Sequence, residues 1–260
     1  MNTVCISEQS KVSTFVNIFQ SIKLFADMVN LDFNEERLFV QGMDSSHVSI
    51  FEINIQKEWF DSYDVSNKTV LGVNCNILWK ILHTLHAKHE LKLCFESNAD
   101  VMELNFSSPD TNVLEKQFSL PLLDIDSEIM EIPETQYTLA FSLESKQLKT
   151  IIDEMMLFNE TVTFTCQDES IKISNTETTE ASMSTSIPFQ TLDDVSFDDD
   201  EVLEVSYNIK YLHHMTQLYK LSTHAKVFIS SGIPLQISYF LDDSNSKNYI
   251  RFFLAPRIDD

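Results

Sequence analysis

Leu122-Leu123-Asp124-Ile125-Asp126-Ser127-Glu128-Ile129-Met130-Glu131-Ile132-Pro133 divides this chain of 260 residues into two halves that repeat one pattern. The segment is acidic, shows no period and ends at proline, which reads as a linker. Ile125, Ile129, Met130 and Ile132 are too apolar for a free tether, so the linker is expected to lie along a surface. Before it, Lys11 to Met28 places Val12, Phe15, Val16, Phe19 and Ile22 at helical spacing, and Asn74 to Leu85 does the same with Ile77, Leu78, Ile81, Leu82 and Leu85. After it, Ser145 to Met156 carries Leu148, Ile151, Ile152 and Met155, and Asn208 to Leu221 carries Ile209, Leu212, Met215 and Leu218. Between these helices lie alternating segments that predict strands: Val48 to Ile55, Leu91 to Phe95, Val101 to Phe106, Thr161 to Thr165, Ser170 to Ile173, Val202 to Tyr207, Lys226 to Ile229 and Leu235 to Tyr239. Helix, strands, helix, strands occurs twice. That order predicts an α+β fold of two similar domains with antiparallel sheets and helices on one face.

Hydrophobic residues make up 43% of the chain, enough for a sizeable core. No apolar run approaches the ~20 residues needed to cross a bilayer. The N-terminus lacks a basic segment followed by a long apolar run, so the expectation is a soluble intracellular protein without a signal peptide. Cys5, Cys75, Cys94 and Cys166 are scattered with no C-x-x-C pair, which predicts free, mostly buried thiols.

The net charge of −22 argues against a nucleic-acid partner if it is spread evenly, because phosphate contacts need Lys and Arg. It is not spread evenly. Acids are 40 of the 260 residues, yet Lys11 to Phe25, Asn74 to Leu85 and Asn208 to Ser222 contain none. These helices carry Lys11, Lys23, Lys80, Lys210 and Lys220, with His83, His213 and His214. The remaining helix sets Lys146 and Lys149 against Asp153 and Glu154. Gathered on one surface, the four would make a mildly positive face for weak, sequence-independent contact with a phosphate backbone; otherwise these lysines are ordinary solvated positions. No zinc finger, basic zipper or aromatic RNA-binding signature is present to read bases.

Catalytic constellations are lacking. Three glycines, Gly42, Gly72 and Gly232, are too far apart to build a phosphate-cradling loop. His83-x-x-His86-x-x-His89 would spread its rings over roughly 120° of a helix with no further ligand at a helical partner position, so polar residues on a helix surface are the reading, not a metal site. His213 and His214 are adjacent and face different ways. Asp193-Asp194 and Asp198-Asp199-Asp200-Glu201 read as a solvated acidic loop rather than a magnesium site. No Ser or Cys lies in a nucleophile elbow.

Met43-Asp44-Ser45-Ser46-His47-Val48, Leu71-Gly72-Val73-Asn74, Lys80-Ile81-Leu82, Ser97-Asn98-Ala99-Asp100, Ile132-Pro133-Glu134, Ile233-Pro234-Leu235 and Leu254-Ala255-Pro256-Arg257-Ile258 occur in an order that resembles the proliferating cell nuclear antigen family, the eukaryotic-type sliding DNA clamp. The resemblance spans the whole chain. It implies an N-terminal clamp domain over 1–121, an interdomain connector over 122–136 and a C-terminal clamp domain over 137–260. It further implies a ring with sheets outside and helices lining the hole, closed head to tail by three copies. The protein would then be no enzyme but a processivity factor that needs no cofactor or metal. Its partners would be double-stranded DNA without sequence preference, a DNA polymerase and other proteins carrying a short clamp-binding motif, and a clamp loader. The implied location is the nucleus, or a cytoplasmic replication site for a viral member.

The same resemblance assigns residues. Lys23, Lys80, His83, Lys146, Lys149 and Lys210 would face DNA, while Asn17 and Gln217 fall where positive residues are expected. Met43, His47, Val48 and Ile50 from the loop would take the partner motif together with Met130, Ile132, Pro133 and Tyr137 around the connector. Pro234 and the tail residues Phe253, Leu254, Ala255, Pro256 and Ile258 would complete that surface. Ring closure would pair the strand around Val113 to Leu120, with Phe118, against one around Glu180 to Ile187, with Met183, in the next copy. The segment Cys166-Gln167-Asp168-Glu169 lacks the lysine the family uses for ubiquitin attachment. A subunit of a heterotrimeric checkpoint-type clamp, or a monomeric clamp-like polymerase accessory protein, is the alternative; a metal-dependent nuclease would need catalytic carboxylates that the pattern does not supply.

Overall fold

The computed structural model describes residues 1–126, 128–175, 181–198, 202–242 and 246–257. In chain order its elements are β1 (Asn2–Ile6), α1 (Gln9–Ile22), β2 (Met28–Phe33), β3 (Arg37–Met43), β4 (Ser49–Gln56), β5 (Ser62–Asp64), β6 (Thr69–Asn74), α2 (Cys75–Leu82), β7 (Glu90–Phe95), β8 (Val101–Ser107), β9 (Lys116–Pro121), β10 (Leu139–Glu144), α3 (Ser145–Met155), β11 (Thr161–Gln167), β12 (Ser170–Ser174), β13 (Ser184–Pro188), β14 (Asp194–Phe197), β15 (Leu203–Asn208), α4 (Ile209–Thr216), β16 (His224–Ile229), β17 (Leu235–Phe240) and β18 (Tyr249–Leu254). They form two compact units. The first comprises Met1–Ser45, Glu52–Met130 and Leu241–Tyr249, the second Ser46–Phe51, Glu131–Phe240 and Ile250–Asp260.

In the first unit, β5-β1-β7-β8-β9 make an antiparallel sheet, and β6, β2, β3 and β4 are neighbours in another. Phe33 of β2 meets Phe95 of β7 with ring centroids 4.6 Å apart, so side chains of the two sheets share one core. α1 and α2 pack on each other. α1 buries Val12, Phe15, Ile18, Phe19 and Ile22, the spacing an amphipathic helix needs to present one apolar face. Its N-terminus has no cap of its own. Asp61 supplies one: its carboxylate accepts the backbone N–H of Ser7 at 2.6 Å and of Glu8 at 3.2 Å. α2 is capped by the residue just before it, the Asn74 Oδ1 accepting Ile77 N–H at 3.0 Å.

The second unit repeats this plan. β13-β12-β11-β15 form one sheet, and β14, β10, β16, β17 and β18 are neighbours in the other. α3 buries Leu148, Ile151, Ile152 and Met155. α4, capped by Asn208 Oδ1 on Lys210 N–H at 3.0 Å, buries Ile209, Leu212 and Met215, and the following Leu218 is also buried. α3 and α4 pack together as α1 and α2 do.

Three expectations change. The first helix stops at Ile22, six residues before the predicted Met28, because Lys23 to Phe25 close a turn and Met28 already begins β2. Ile77, placed by spacing in the core of α2, is 45% exposed. α2 ends at Leu82, so His83, His86 and His89 do not share a helix surface. His89 is buried, and its Nδ1 accepts the His86 backbone N–H at 2.8 Å. That leaves Nε2 as the protonated nitrogen, donating to Leu114 O at 3.0 Å. The histidine is a core strut with both nitrogens occupied.

The four cysteines are free; Cys75 and Cys166 are buried, which pushes their thiols up to about 12 and about 11. No helix among the described residues is long and apolar enough to cross a membrane.

Candidate nucleic-acid and partner interfaces

The helical faces carry the cations in two different states. Lys80, Lys146 and Lys210 are exposed, and no described carboxylate lies within 4 Å of them. Lys23, just past the end of α1, lies with Nζ 3.2 Å from the centroid of the Trp79 ring. His83 stacks on the same indole at 5.2 Å, so this pair of helices ends in a Lys-Trp-His column. In the second unit Asp153 engages two basic side chains at once. Its Oδ2 takes Lys149 Nζ one turn back along α3, and its Oδ1 lies 2.8 Å from His213 Nδ1 on α4. Gln217 adds Nε2 to His213 O at 3.0 Å. His214, its ring 6.0 Å from that of His213, is half-buried, and that burial, reinforced by His213 and Lys210, lowers its pKa below the ordinary 6.5. Lys11, by contrast, turns toward Glu8 at 3.6 Å and Asp61 at 3.9 Å.

The acidic loop is partly engaged as well. Asp193 pairs with His224 at 2.9 Å and Asp194 with Lys226 at 3.3 Å, while Asp199, Asp200 and Glu201 lie outside the described residues. Among the described residues no group of three or more His, Cys, Asp or Glu is placed to hold a metal.

Around the linker, the first unit holds the segment from Leu122 to Met130 by polar contacts that sequence inspection missed. Leu123 N–H donates to Gly72 O at 2.8 Å, and Asn30 Nδ2 to Ile125 O at 3.1 Å. Gln41 reads Met130 like a neighbouring strand: its Nε2 donates to Met130 O at 2.9 Å while its Oε1 accepts Met130 N–H at 2.8 Å. Met43 and Met130 line one cavity of ≈ 440 Å³ with Phe39, Val70 and Ile129.

The second unit brings together the rest of the loop, tail and linker residues. His47 is exposed at φ 59°, a left-handed conformation that histidine tolerates better than most side chains. Val48 O accepts Ala255 N–H at 2.9 Å, which ties loop to tail. Arg257 continues the tie, its N–H on Ser206 O at 2.8 Å and its guanidinium on Thr161 Oγ1. Tyr137 bonds Pro234 O at 3.3 Å and packs its ring 5.5 Å from Phe228. Ile50, Ile132, Ala255 and Pro256 are half-exposed and Pro133 and Pro234 exposed. Phe253 and Leu254 are only 7% and 1% exposed, so they hold this surface up from the core instead of offering a face. Ile258 lies outside the described residues.

Among the described residues, β9 and β13 are both edge strands of their sheets, with no strand paired on their outer side. Val113, Phe118 and Met183 are half-exposed, whereas Leu120 is fully buried and can take part in edge pairing only through its backbone. Of the Glu180 to Ile187 segment, Glu180 is not described. At the tight β11–β12 turn, Asp168 and Glu169 both have positive φ, the pattern of a two-residue hairpin.

Comparison with known proteins decides the family. Residues 7–129 match the proliferating cell nuclear antigen, N-terminal domain, and residues 131–257 match its C-terminal domain. The chain belongs to the proliferating cell nuclear antigen family. It is 29% identical to the proliferating cell nuclear antigen of Chaetomium thermophilum over 257 residues, covering 96% of each chain. Against proliferating cell nuclear antigen 2 of Drosophila melanogaster it is 27% identical over 248 residues, covering 94% of this chain and 93% of the other. The protein is a DNA sliding clamp, a processivity factor that tethers DNA polymerase and other replication and repair proteins to duplex DNA. Clamps of this family are non-catalytic.

Proposed function

We propose that the clamp works as a homotrimeric ring, with Lys23, Lys80, His83, Lys146, Lys149 and Lys210 toward the duplex. The observation that carries this reading is the segregation of charge. On a chain of −22, helices α1, α2 and α4 hold no acid, and Lys80, Lys146 and Lys210 stand exposed without a described counter-ion. A few unneutralised cations on an acidic molecule give a weak, sequence-independent hold on phosphate, which suits sliding. Ring closure runs through the free edges of β9 and β13 in successive copies, a heterologous contact that closes by rotation. The domains are 1–121 and 137–260, with 122–136 as connector. Partner motifs dock on Met43 and Met130 of the first unit and on His47, Val48, Ile50, Ile132, Pro133, Tyr137, Pro234, Ala255, Pro256 and Ile258 of the second. The chain has no catalytic activity of its own and works in the nucleus.

Solution mass by light scattering from micromolar to nanomolar concentration tests the assembly. A mass of three times 30.0 kDa is expected. A mass of 30.0 kDa throughout overturns the self-closing homotrimer and leaves a hetero-oligomeric or monomeric clamp.

A further inference from the structure

Helices α1, α2 and α4 carry no acid, so a carboxylate set between α3 and α4 calls for a reason. Asp153 of α3 lies with Oδ1 2.8 Å from Nδ1 of His213 on α4. A carboxylate only accepts, so Nδ1 carries the ring proton and Nε2 keeps its lone pair. The Gln217 amide nitrogen is 3.3 Å from that Nε2, but its shorter bond is to the His213 carbonyl, at 3.0 Å. The His213 side chain is 31% exposed and that of Asp153 35%, so a ligand can reach the pair from solvent. Should Nε2 take up a proton, the charge on the ring faces a carboxylate already in place. The other groups around it are basic. Lys149 shares Asp153 through its other oxygen, Lys210 is exposed with no described carboxylate within 4 Å, and the His214 ring is 6.0 Å away. Lys220, past α4, lies with Nζ 5.7 Å from the Tyr219 ring. Glu154, the one further acid of α3, is exposed and joins no described ion pair. Asp153 is therefore shared between two bases, and a further positive charge in this group is best held by an anion from outside.

We propose that His213 is a further phosphate-binding residue of the clamp, which engages the DNA backbone through Nε2 as it takes up a proton, with Asp153 as its positioning residue. The proposal rests on the reading that these helices face the duplex. The proton comes from solvent and ends on Nε2, where it is donated to a phosphate oxygen; the Nδ1 proton stays on Asp153. Without DNA, the second ring proton sets a positive charge beside Lys149, Lys210 and His214. A phosphate oxygen at Nε2 offsets that repulsion, so DNA binding and protonation favour each other. Lysine contacts keep their charge across the neutral range, whereas this contact strengthens as pH falls. The acid on the DNA-facing side thus has a use: it orients the imidazole and supports its charge, at the expense of part of Lys149.

The test is fluorescence anisotropy of a short labelled duplex with the full-length clamp at pH 8 and pH 6, over a salt series at each. Binding is expected to be about fivefold tighter at pH 6, with the slope of log affinity against log salt steeper by about one. Calorimetry in two buffers of different ionisation enthalpy should show net proton uptake on binding. His213→Gln should keep the pH 8 affinity and lose most of the gain at pH 6. Asp153→Asn should shrink the same gain even though it releases Lys149 at pH 8; a gain that Asp153→Asn leaves whole overturns the positioning role. His86→Gln is the control for bulk charge, because His86 is exposed on the loop after α2. A gain that survives His213→Gln, or that His86→Gln lowers equally, overturns the proposal, and so does equal affinity at the two pH values. If Lys80→Met and Lys210→Met weaken duplex binding while His213→Gln keeps the full gain, the helices face DNA and only the histidine contact falls. If those lysine variants bind as the unaltered clamp does, the helix-facing reading falls and takes this site with it.

Discussion

Asp153 restrains the cationic face of the second unit. Lys149 and His213 both end on its carboxylate, so one of the lysines that sequence places toward DNA, Lys149, is compensated before DNA arrives. Asp153→Asn keeps a hydrogen-bonding side chain of the same shape and removes the charge. The variant is expected to bind a short duplex roughly three- to tenfold more tightly at low salt, with the slope of log affinity against log salt steeper by about one. Fluorescence anisotropy over a salt series reads both quantities, and an unchanged slope would show that Lys149 makes no phosphate contact. Close by, His214 gives a prediction of different kind. Its folded pKa is depressed, chiefly by burial and then by His213 and Lys210, so the folded chain keeps the ring neutral where the unfolded chain protonates it. Above 6.5 neither state is protonated and nothing is lost; as pH falls from 6.5 through the folded pKa, the unfolded state gains. The melting temperature should therefore drop between pH 7.5 and 5.5, and His214→Gln should flatten part of that drop. Asp61, whose pKa is lowered by the Ser7 N–H it accepts, loses its contribution only below the ordinary carboxylate range, outside this window.

At the scale of elements, the connector is held by β6 and β3 as much as by its own apolar residues. A Cβ built on Gly72 would lie 2.2 Å from Leu123 O and 3.0 Å from the Ile125 side chain. The obstacle is backbone, so Gly72→Ala cannot be absorbed by a rotamer change; Leu122 to Ile125 must lift off β6. The expected result is faster proteolytic cleavage within the connector and about tenfold weaker binding of a clamp-binding peptide, with the loss of one backbone hydrogen bond costing only about 1 kcal/mol of stability. Unchanged cleavage and affinity would mean the connector does not depend on this contact. These ties explain what sequence could and could not disclose. Leu148, Ile151, Ile152 and Met155 announced α3 because helical period and burial coincide there. β3 is hard to read because Leu38, Phe39 and Val40 are consecutive and all buried, so the period-2 signal is absent there; β2 does alternate, Val29, Leu31 and Phe33 against Asn30 and Asp32, but the helical pattern extended to Met28 runs into its start and masks it. The apolar connector was recognisable as surface-bound, but its anchors are not. Asn30 lies 95 residues from Ile125 and Gln41 lies 89 from Met130, and no local pattern encodes a pairing at that distance.

At the scale of the molecule, the charge map and the fold make one argument. A protein of net charge −22 cannot hold DNA by bulk attraction, and its helices spare only a handful of free cations for the task. Affinity for phosphate is thus too small to keep a polymerase in place, and retention has to come from enclosure. The two modes of holding differ in what releases them. Salt weakens phosphate contacts steeply but does not open a closed ring, whereas a free DNA end lets a ring slide off without breaking any contact. Loaded onto circular DNA, the clamp is expected to co-elute with it on gel filtration and to persist when salt is raised severalfold, while a single restriction cut releases it. Blocking both ends of the cut molecule with bulky protein should restore retention. Loss from intact circles as salt rises, in parallel with the binding of the isolated duplex, would mean that the cationic helices and not topology keep the clamp on DNA.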